Sequence, residues 1–303
     1  MVATAPPIAP SSEDTSRARP KGRWAGPIYS IAPTMVLLAL FLGPMFILLY
    51  YSFQKASLSG ATGWTFDNYT SILTDPTYGK VMLTTVMICT ISMLIMLAIG
   101  LPLAYILAMR TPPRFELLLL LMLVIAEELN PLIRIYAWRM ILGRGGVINW
   151  TLQTIGLIDK PIDSLLFSST AVVIVLSTTY ISFTTIPIYA ALKAVDPDLL
   201  EAADDLGASF FTRCRKILLP LAAPGIFVAI ILVYIPLYSE FAAPALVGGT
   251  SGYMIGNAIQ EAILESGNRG VGSAMSFMLL VLSGAVAWIG YRMAKIRRLQ
   301  ATS

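Results

Sequence analysis

The sequence predicts an all-α polytopic membrane protein with six spanning helices. Three observations carry this. The 303 residues are 56% hydrophobic and 13% charged, with a mean hydropathy of +0.75, whereas a soluble domain carries about a quarter charged residues. Six apolar runs recur, each near the ~20 residues that a helix needs to cross a bilayer. The basic residues gather at the edges of those runs rather than in one patch.

The runs cover roughly 29–53, 81–108, 117–140, 169–192, 222–246 and 272–292. The second and fifth are long enough to tilt or to continue past the hydrocarbon. Residues 1–27 are rich in Pro, Ser and Ala and contain no apolar run. They read as a disordered cytoplasmic tail rather than a cleaved signal, with the first span retained as an anchor. The outer loop 54–80 holds Trp64, Phe66, Tyr69 and Tyr78, residues suited to the interfacial aromatic belt. Residues 28–292 form the transmembrane domain, and 293–303 a basic cytoplasmic tail. Of the 21 Lys and Arg, fourteen fall on the side that holds the termini and seven on the other. That bias places both termini in the cytoplasm. No internal repeat stands out.

Several functions are excluded by composition. The chain has no His, and its two cysteines, Cys89 and Cys214, do not make a disulfide framework and leave little for a transition-metal site. A formal charge of +4 spread over span edges is not a nucleic-acid footprint. No G-x-x-x-x-G-K-[ST] loop is present, so the chain carries no P-loop signature of nucleotide hydrolysis. No residues are expected to be catalytic, and no cofactor is expected in this chain.

The loop 193–220 is the most ordered polar segment. Asp196 is a good N-cap, Pro197 fits the first helical position, and Asp198 complements the positive helix end. A short helix therefore runs from Pro197 to about Leu206, and Gly207 supplies the left-handed residue that ends it. Ser209 caps a second helix bearing Arg213, Arg215 and Lys216, with Pro220 and Pro224 shaping the entry to the fifth span. Leu199, Ala202, Ala203 and Leu206 form one apolar edge at helical spacing, and Glu201, Asp204 and Asp205 line another. Such a rod either docks in a groove of a partner or packs beneath its own bundle.

Glu201-Ala202-Ala203, three residues, Gly207, nine residues, then Ile217-Leu218-Leu219-Pro220 resembles the cytoplasmic loop of ATP-binding-cassette (ABC) importer permeases. Phe66-Asp67-Asn68-Tyr69, the run Leu132-Ile133-Arg134-Ile135-Tyr136-Ala137-Trp138, Gly145-Gly146-Val147-Ile148-Asn149, Ser239-Glu240-Phe241 and Met254-Ile255-Gly256-Asn257 resemble the spermidine/putrescine branch. The likeness covers roughly residues 28–292. It implies a type I importer permease fold in the bacterial inner membrane. It also implies an ABC ATPase dimer that uses ATP and Mg²⁺, a second permease subunit expected to be a different chain, and an extracytoplasmic solute-binding protein. On that resemblance Glu201, Ala202, Ala203 and Gly207 belong to a coupling helix seated in the ATPase, with Leu219 and Pro220 anchoring it to the fifth span.

The acids within the apolar runs are the solute-path candidates. Glu127 and Glu128 sit in the third run, where a carboxylate costs about 2.5–3.5 kcal/mol on insertion scales and so faces protein or water. Neighbours on a helix point about 100° apart, so the two cannot both face one path squarely. In one continuous span Glu127 shares a face with Asn130 and Arg134, and Pro131 kinks the helix. The freed carbonyl and the carboxylate then suit an ammonium group, while the alternative is an ion pair with Arg134. The Glu127-Glu128-Leu129 stretch departs from the aromatic and hydroxyl residues usual in polyamine permeases. Glu240, late in the fifth span, is either path-lining or structural, and Tyr238 offers a cation–π face. Pro187 marks a kink in the fourth span, and Met93 and Met96 read as packing. Competing functions are a permease for another small organic solute, an ATP-independent carrier, and a structural scaffold. The missing repeat and the ordered loop weigh against the last two.

Overall fold

In a computed structural model, residues 25–55 and 63–301 are described. Thirteen α-helices follow in order among them: α1 (Ala25–Ser52), α2 (Asp67–Thr74), α3 (Pro76–Tyr105), α4 (Pro113–Glu128), α5 (Pro131–Leu142), α6 (Val147–Thr154), α7 (Ser169–Thr179), α8 (Ile181–Lys193), α9 (Pro197–Asp205), α10 (Phe210–Arg213), α11 (Leu219–Ser239), α12 (Ile255–Gln260) and α13 (Arg269–Ala301). The β-structure among the described residues is one antiparallel bridge between Gln54 and Trp64. The expected N-terminal tail lies, up to residue 24, outside the described residues. The expected C-terminal tail instead continues the backbone of α13 to Ala301.

Residues up to Ile47 form one unit and residues from Leu48 another. The described part of the first is α1 as far as Ile47, with Met35, Leu37, Leu40 and Phe41 exposed. An apolar helix with such a surface is suited to lipid.

The second unit is built on α3, α8 and α11, which pack on one another, with α7 against α3 and α13 against α11. Small residues set these approaches, as membrane helices require. A Cβ on Gly225 of α11 would lie 2.5 Å from the Pro187 carbonyl oxygen of α8. Two buried clusters result. One gathers Met93, Met96, Leu176, Val233, Met254 and Met275; the other gathers Ala104, Ile188, Leu192, Leu218, Ala222 and Ala229. Buried asparagines tie the connections. Asn68 donates to the carbonyls of Ser52 and Gln54 at 2.8 Å each, and Asn149 accepts from the Ile162 amide at 2.8 Å.

Among the described residues four stretches are long and apolar enough to cross a membrane alone: Pro33–Ser52, Pro76–Arg110, Phe210–Ser239 and Arg269–Trp288. The fourth expected span is a pair, α7 and α8, bent by 43°. The bend falls at Tyr180, not at Pro187, which lies inside α8. The third expected span is not one kinked helix. It is cut into the 16 residues of α4 and the 12 of α5. Pro131 disfavours helical backbone at Asn130, and Asn130 instead caps α5 through its side chain, accepting from the Leu132 amide at 2.9 Å. The second helix expected in the loop also differs. It runs from Phe210 through a widened π turn at Cys214–Leu218 directly into α11. A turn of that kind accommodates Pro220, which lacks an amide to donate.

Candidate functional site

Three helix breaks, remote in sequence, meet at one cavity that carries four charged side chains. The helix α4 stops at Glu128, α7 at Thr179 and α11 at Ser239, where Glu240 adopts extended backbone with φ −66° and ψ 129°. Each break frees carbonyls and amides that must find partners in an apolar surrounding. Side chains supply them. The Arg134 guanidinium, in the first turn of α5, donates to the Thr179 carbonyl at 3.0 Å and the Ala126 carbonyl at 2.5 Å. It also pairs with the Glu127 carboxylate at 3.6 Å. Glu240 Oε1 accepts from the amides of Ala242 and Ala243 at 3.0 and 3.3 Å, and Oε2 accepts from the Tyr180 hydroxyl at 3.1 Å. Ser182 donates to the Leu123 carbonyl at 3.1 Å, tying α8 to α4 beside the break.

The cavity holds about 340 Å³ and is lined by Glu127, Glu128, Arg134, Tyr180, Phe183 and Glu240 among others. Glu128 is exposed in it, and its carboxylate has no hydrogen bond or ion pair among the described residues. Three carboxylates therefore face one guanidinium, and Arg134 is the lone cation of the lining. Such a surface attracts positive charge.

The structure brings together three of the five expected path residues: Glu127, Glu128 and Glu240. Asn130 is spent on capping α5 and does not line the cavity. Tyr238 is 5% exposed, packed in the core with its ring 5.3 Å from that of Tyr234, so it offers no open face there. Sequence reasoning missed Tyr180 and Thr179. No Gly or Pro marks position 180, and the break there left no local signal. Asn257 was a motif residue without an assigned task; its amide donates to the Phe241 carbonyl at 2.9 Å and holds the turn after Glu240. A Cβ on Gly256 would lie 2.6 Å from the Glu240 carbonyl oxygen, so that turn is seated directly on α12.

The second candidate surface is the loop between α8 and α11. Asp196 caps α9 by accepting from the Asp198 amide at 3.1 Å, and Pro197 opens the helix. At its end Ala208 donates to the Ala203 carbonyl at 3.0 Å and Gly207 to the Asp204 carbonyl at 2.8 Å, with Gly207 at φ +72°. This is a Schellman motif, and the left-handed residue is Gly as it should be. Ser209 caps the next helix by accepting from the Thr212 amide at 3.3 Å, and Arg213 bonds Asp204 across the turn. Glu201 and Ala202 are exposed, and Leu206 is 88% exposed.

The apolar edge expected on this helix is divided. Ala203 is buried, and Leu200 packs on the bundle, while Leu199, Ala202 and Leu206 face outward. Leu219 and Pro220 are exposed too; Leu218 is the residue that anchors the loop in the core. The loop entry is fastened by Glu116, which pairs with Lys193 at 2.8 Å and accepts from the Tyr189 hydroxyl. The Lys193 bond, and then the Tyr189 bond, hold the Glu116 carboxyl below its ordinary range. Nothing in the loop or cavity forms a metal-ligand cluster among the described residues.

Comparison with known proteins places this architecture. Residues 81–296 match the family described as "Binding-protein-dependent transport system inner membrane component". The spermidine/putrescine transport system permease protein PotB of Haemophilus influenzae is 36% identical over 77% of this chain and 80% of its own length. PotB of Escherichia coli K12 is 35% identical over 77% and 84%. Among solved structures, a chain of a bacterial alginate ABC transporter, in complex with alginate pentasaccharide-bound periplasmic protein, superposes with a TM-score of 0.73. That match has 17% identity and covers 89% of this chain and 94% of that one. The chain belongs to the family of binding-protein-dependent transport system inner membrane components, as a multi-pass permease subunit of an ABC importer.

Proposed function

We propose that this permease forms part of the pathway for a polyamine such as putrescine or spermidine. The observation that carries the reading is the convergence of Glu127, Glu128 and Glu240 on one cavity at the helix breaks. Carboxylates in an apolar layer are costly and are kept where a cation passes. The PotB relatives named above are described as spermidine/putrescine permeases, which agrees with that chemistry.

Energy enters at the other surface. The exposed face of α9, with Glu201, Ala202 and Leu206, seats in a cleft of an ABC ATPase subunit, and Gly207 fixes the angle of the rod. Ala203 holds the rod to its own bundle, and Leu219 and Pro220 lie at the mouth of the same junction. ATP with Mg²⁺ is hydrolysed on an ATPase dimer. A second permease subunit of different sequence completes the pathway, and an extracytoplasmic binding protein delivers the solute. Both termini lie in the cytoplasm, and lipid covers the outward apolar faces. Nucleotide and loaded receptor act by favouring different states of the bundle.

The test is uptake of labelled putrescine and spermidine by the reconstituted complex. Glu128→Gln and Glu240→Gln each lower uptake about tenfold, the equivalent of about 1.4 kcal/mol of lost cation stabilisation. If Glu127→Gln, Glu128→Gln and Glu240→Gln all transport like the parent, the polyamine pathway is not here.

A further inference from the structure

Arg134 occupies the position that a cationic solute would want. Its guanidinium binds two carbonyls released by helix breaks, those of Ala126 and Thr179, and stands beside the Glu127 carboxylate. Two carbonyl oxygens and one carboxylate are also what the three N–H donors of a primary ammonium require. The side chain is mostly withdrawn from solvent, at 13% exposure, and Glu127 is at 19%. The neighbouring Glu128 carboxylate has no partner among the described residues and lies in the same cavity.

We propose that Arg134 is a tethered surrogate cation, which fills the solute-ammonium site of the empty permease and is displaced from it by the solute. This rests on the polyamine reading above. An entering ammonium takes the Ala126 and Thr179 carbonyls and Glu127, and the released guanidinium moves to Glu128. Cation is exchanged for cation, so Glu127 keeps a positive partner throughout. A guanidinium suits this use because it is more weakly hydrated than an ammonium and never loses its charge. The Leu129–Asn130 break sits between Glu127 and Arg134, so α5 can shift relative to α4 without breaking a helical hydrogen bond. An unloaded pathway closed by its own cation does not leak solute.

The experiment uses the complete importer, permease with its partner subunits and ATPase, in detergent and in vesicles. Labelled putrescine binding is measured without the receptor, and putrescine leak from preloaded vesicles is measured without ATP. Removing a like charge from a binding site has effects of about one pKa unit or more, hence about tenfold in affinity. R134Q is therefore expected to bind putrescine about tenfold more tightly and to leak more, and R134K to move the same way by less. R134K keeps a cation at the break, so it decides the matter if R134Q does not assemble. A purely structural arginine gives the opposite: weaker or unchanged putrescine binding and no added leak in either variant, which overturns the proposal. A parent complex that neither binds nor moves putrescine overturns the polyamine reading, and this inference with it. A parent that does both, with variants that bind no more tightly, overturns this inference alone.

Discussion

The α8–α11 loop and the cavity at the helix breaks are held by opposite means. In the loop every defining contact is local: Asp196 to Asp198, Gly207 to Asp204, Ala208 to Ala203, Ser209 to Thr212. Its outer side chains are exposed, and its turns are set by bonds within the loop, while Leu200, Ala203 and Leu218 seat it on the bundle. At the cavity the contacts join residues far apart in sequence: Arg134 to Thr179, Tyr180 to Glu240, Asn257 to Phe241. Each helix there is broken, and side chains satisfy the frayed ends, Glu240 from within its own turn and Arg134 and Asn257 from other elements. A locally built rod can transmit a push without melting. A site built from long-range bonds at three breaks can change shape if those bonds are exchanged, as the proposed pathway requires.

Two glycines separate these modes of construction. Gly256→Ala inserts a methyl 2.6 Å from the Glu240 carbonyl oxygen, in a turn that cannot yield without shifting α11 against α12. The expected loss is about 1–3 kcal/mol of global stability, read as a lower melting temperature of the detergent-solubilised permease together with lost transport. Gly207→Ala meets open space, so its cost comes from the φ of +72°. That penalty is about 1–2 kcal/mol and falls on the loop. Hydrolysis by the assembled complex should then proceed with reduced solute uptake, while the melting temperature of the bundle stays near that of the parent. Gly207→Asn, which tolerates the left-handed region, should recover much of the uptake. Equal global destabilisation by Gly256→Ala and Gly207→Ala would erase the distinction between the two regions.

The smallest effect is expected where the regions join. Glu116 holds Lys193 and Tyr189 at the loop entry, and its carboxyl titrates below the ordinary value of 4.5. A carboxyl depressed by folding contributes stability that is present above its unfolded pKa and lost as pH falls through its folded one. Melting of the parent should therefore lose this contribution on acidification below about pH 4.5, where unfolded glutamate begins to bind protons. Glu116→Gln should remove that part of the acid sensitivity and barely alter melting at neutral pH, since the pair is largely solvent-screened. An unchanged acid profile in Glu116→Gln would show that the fastening does not matter.

The loop was readable along the chain because capping chemistry is written in adjacent residues. Asp196-Pro197 and Gly207 name a start and a stop, and both stand where their types predict. Asn130-Pro131 carried the same kind of signal, an N-cap followed by a first-turn proline, within an apolar run long enough to suggest one continuous span. The break at Tyr180 had no such mark: Thr178-Thr179-Tyr180-Ile181 is an unremarkable helical stretch, and its end is set by what Thr179 and Tyr180 meet across the bundle. The division of the α9 apolar edge was hidden for a similar reason. Ala202 and Ala203 are adjacent and chemically identical, and only packing decides which is buried.

Taken alone, the sequence determined the membrane setting, the run of apolar helices, the capped loop, and the presence of acids inside the apolar runs. These follow from composition, length and near-neighbour hydrogen bonding, none of which needs a third dimension. Tertiary structure decided that Glu127, Glu128 and Glu240 share a cavity, that Asn130 and Tyr238 do not line it, and that Arg134 lies among the acids. Which side chain answers a freed carbonyl depends on which helix ends come within about 3 Å of it, and that distance is set by the packing of α3, α8 and α11 around small residues such as Gly225.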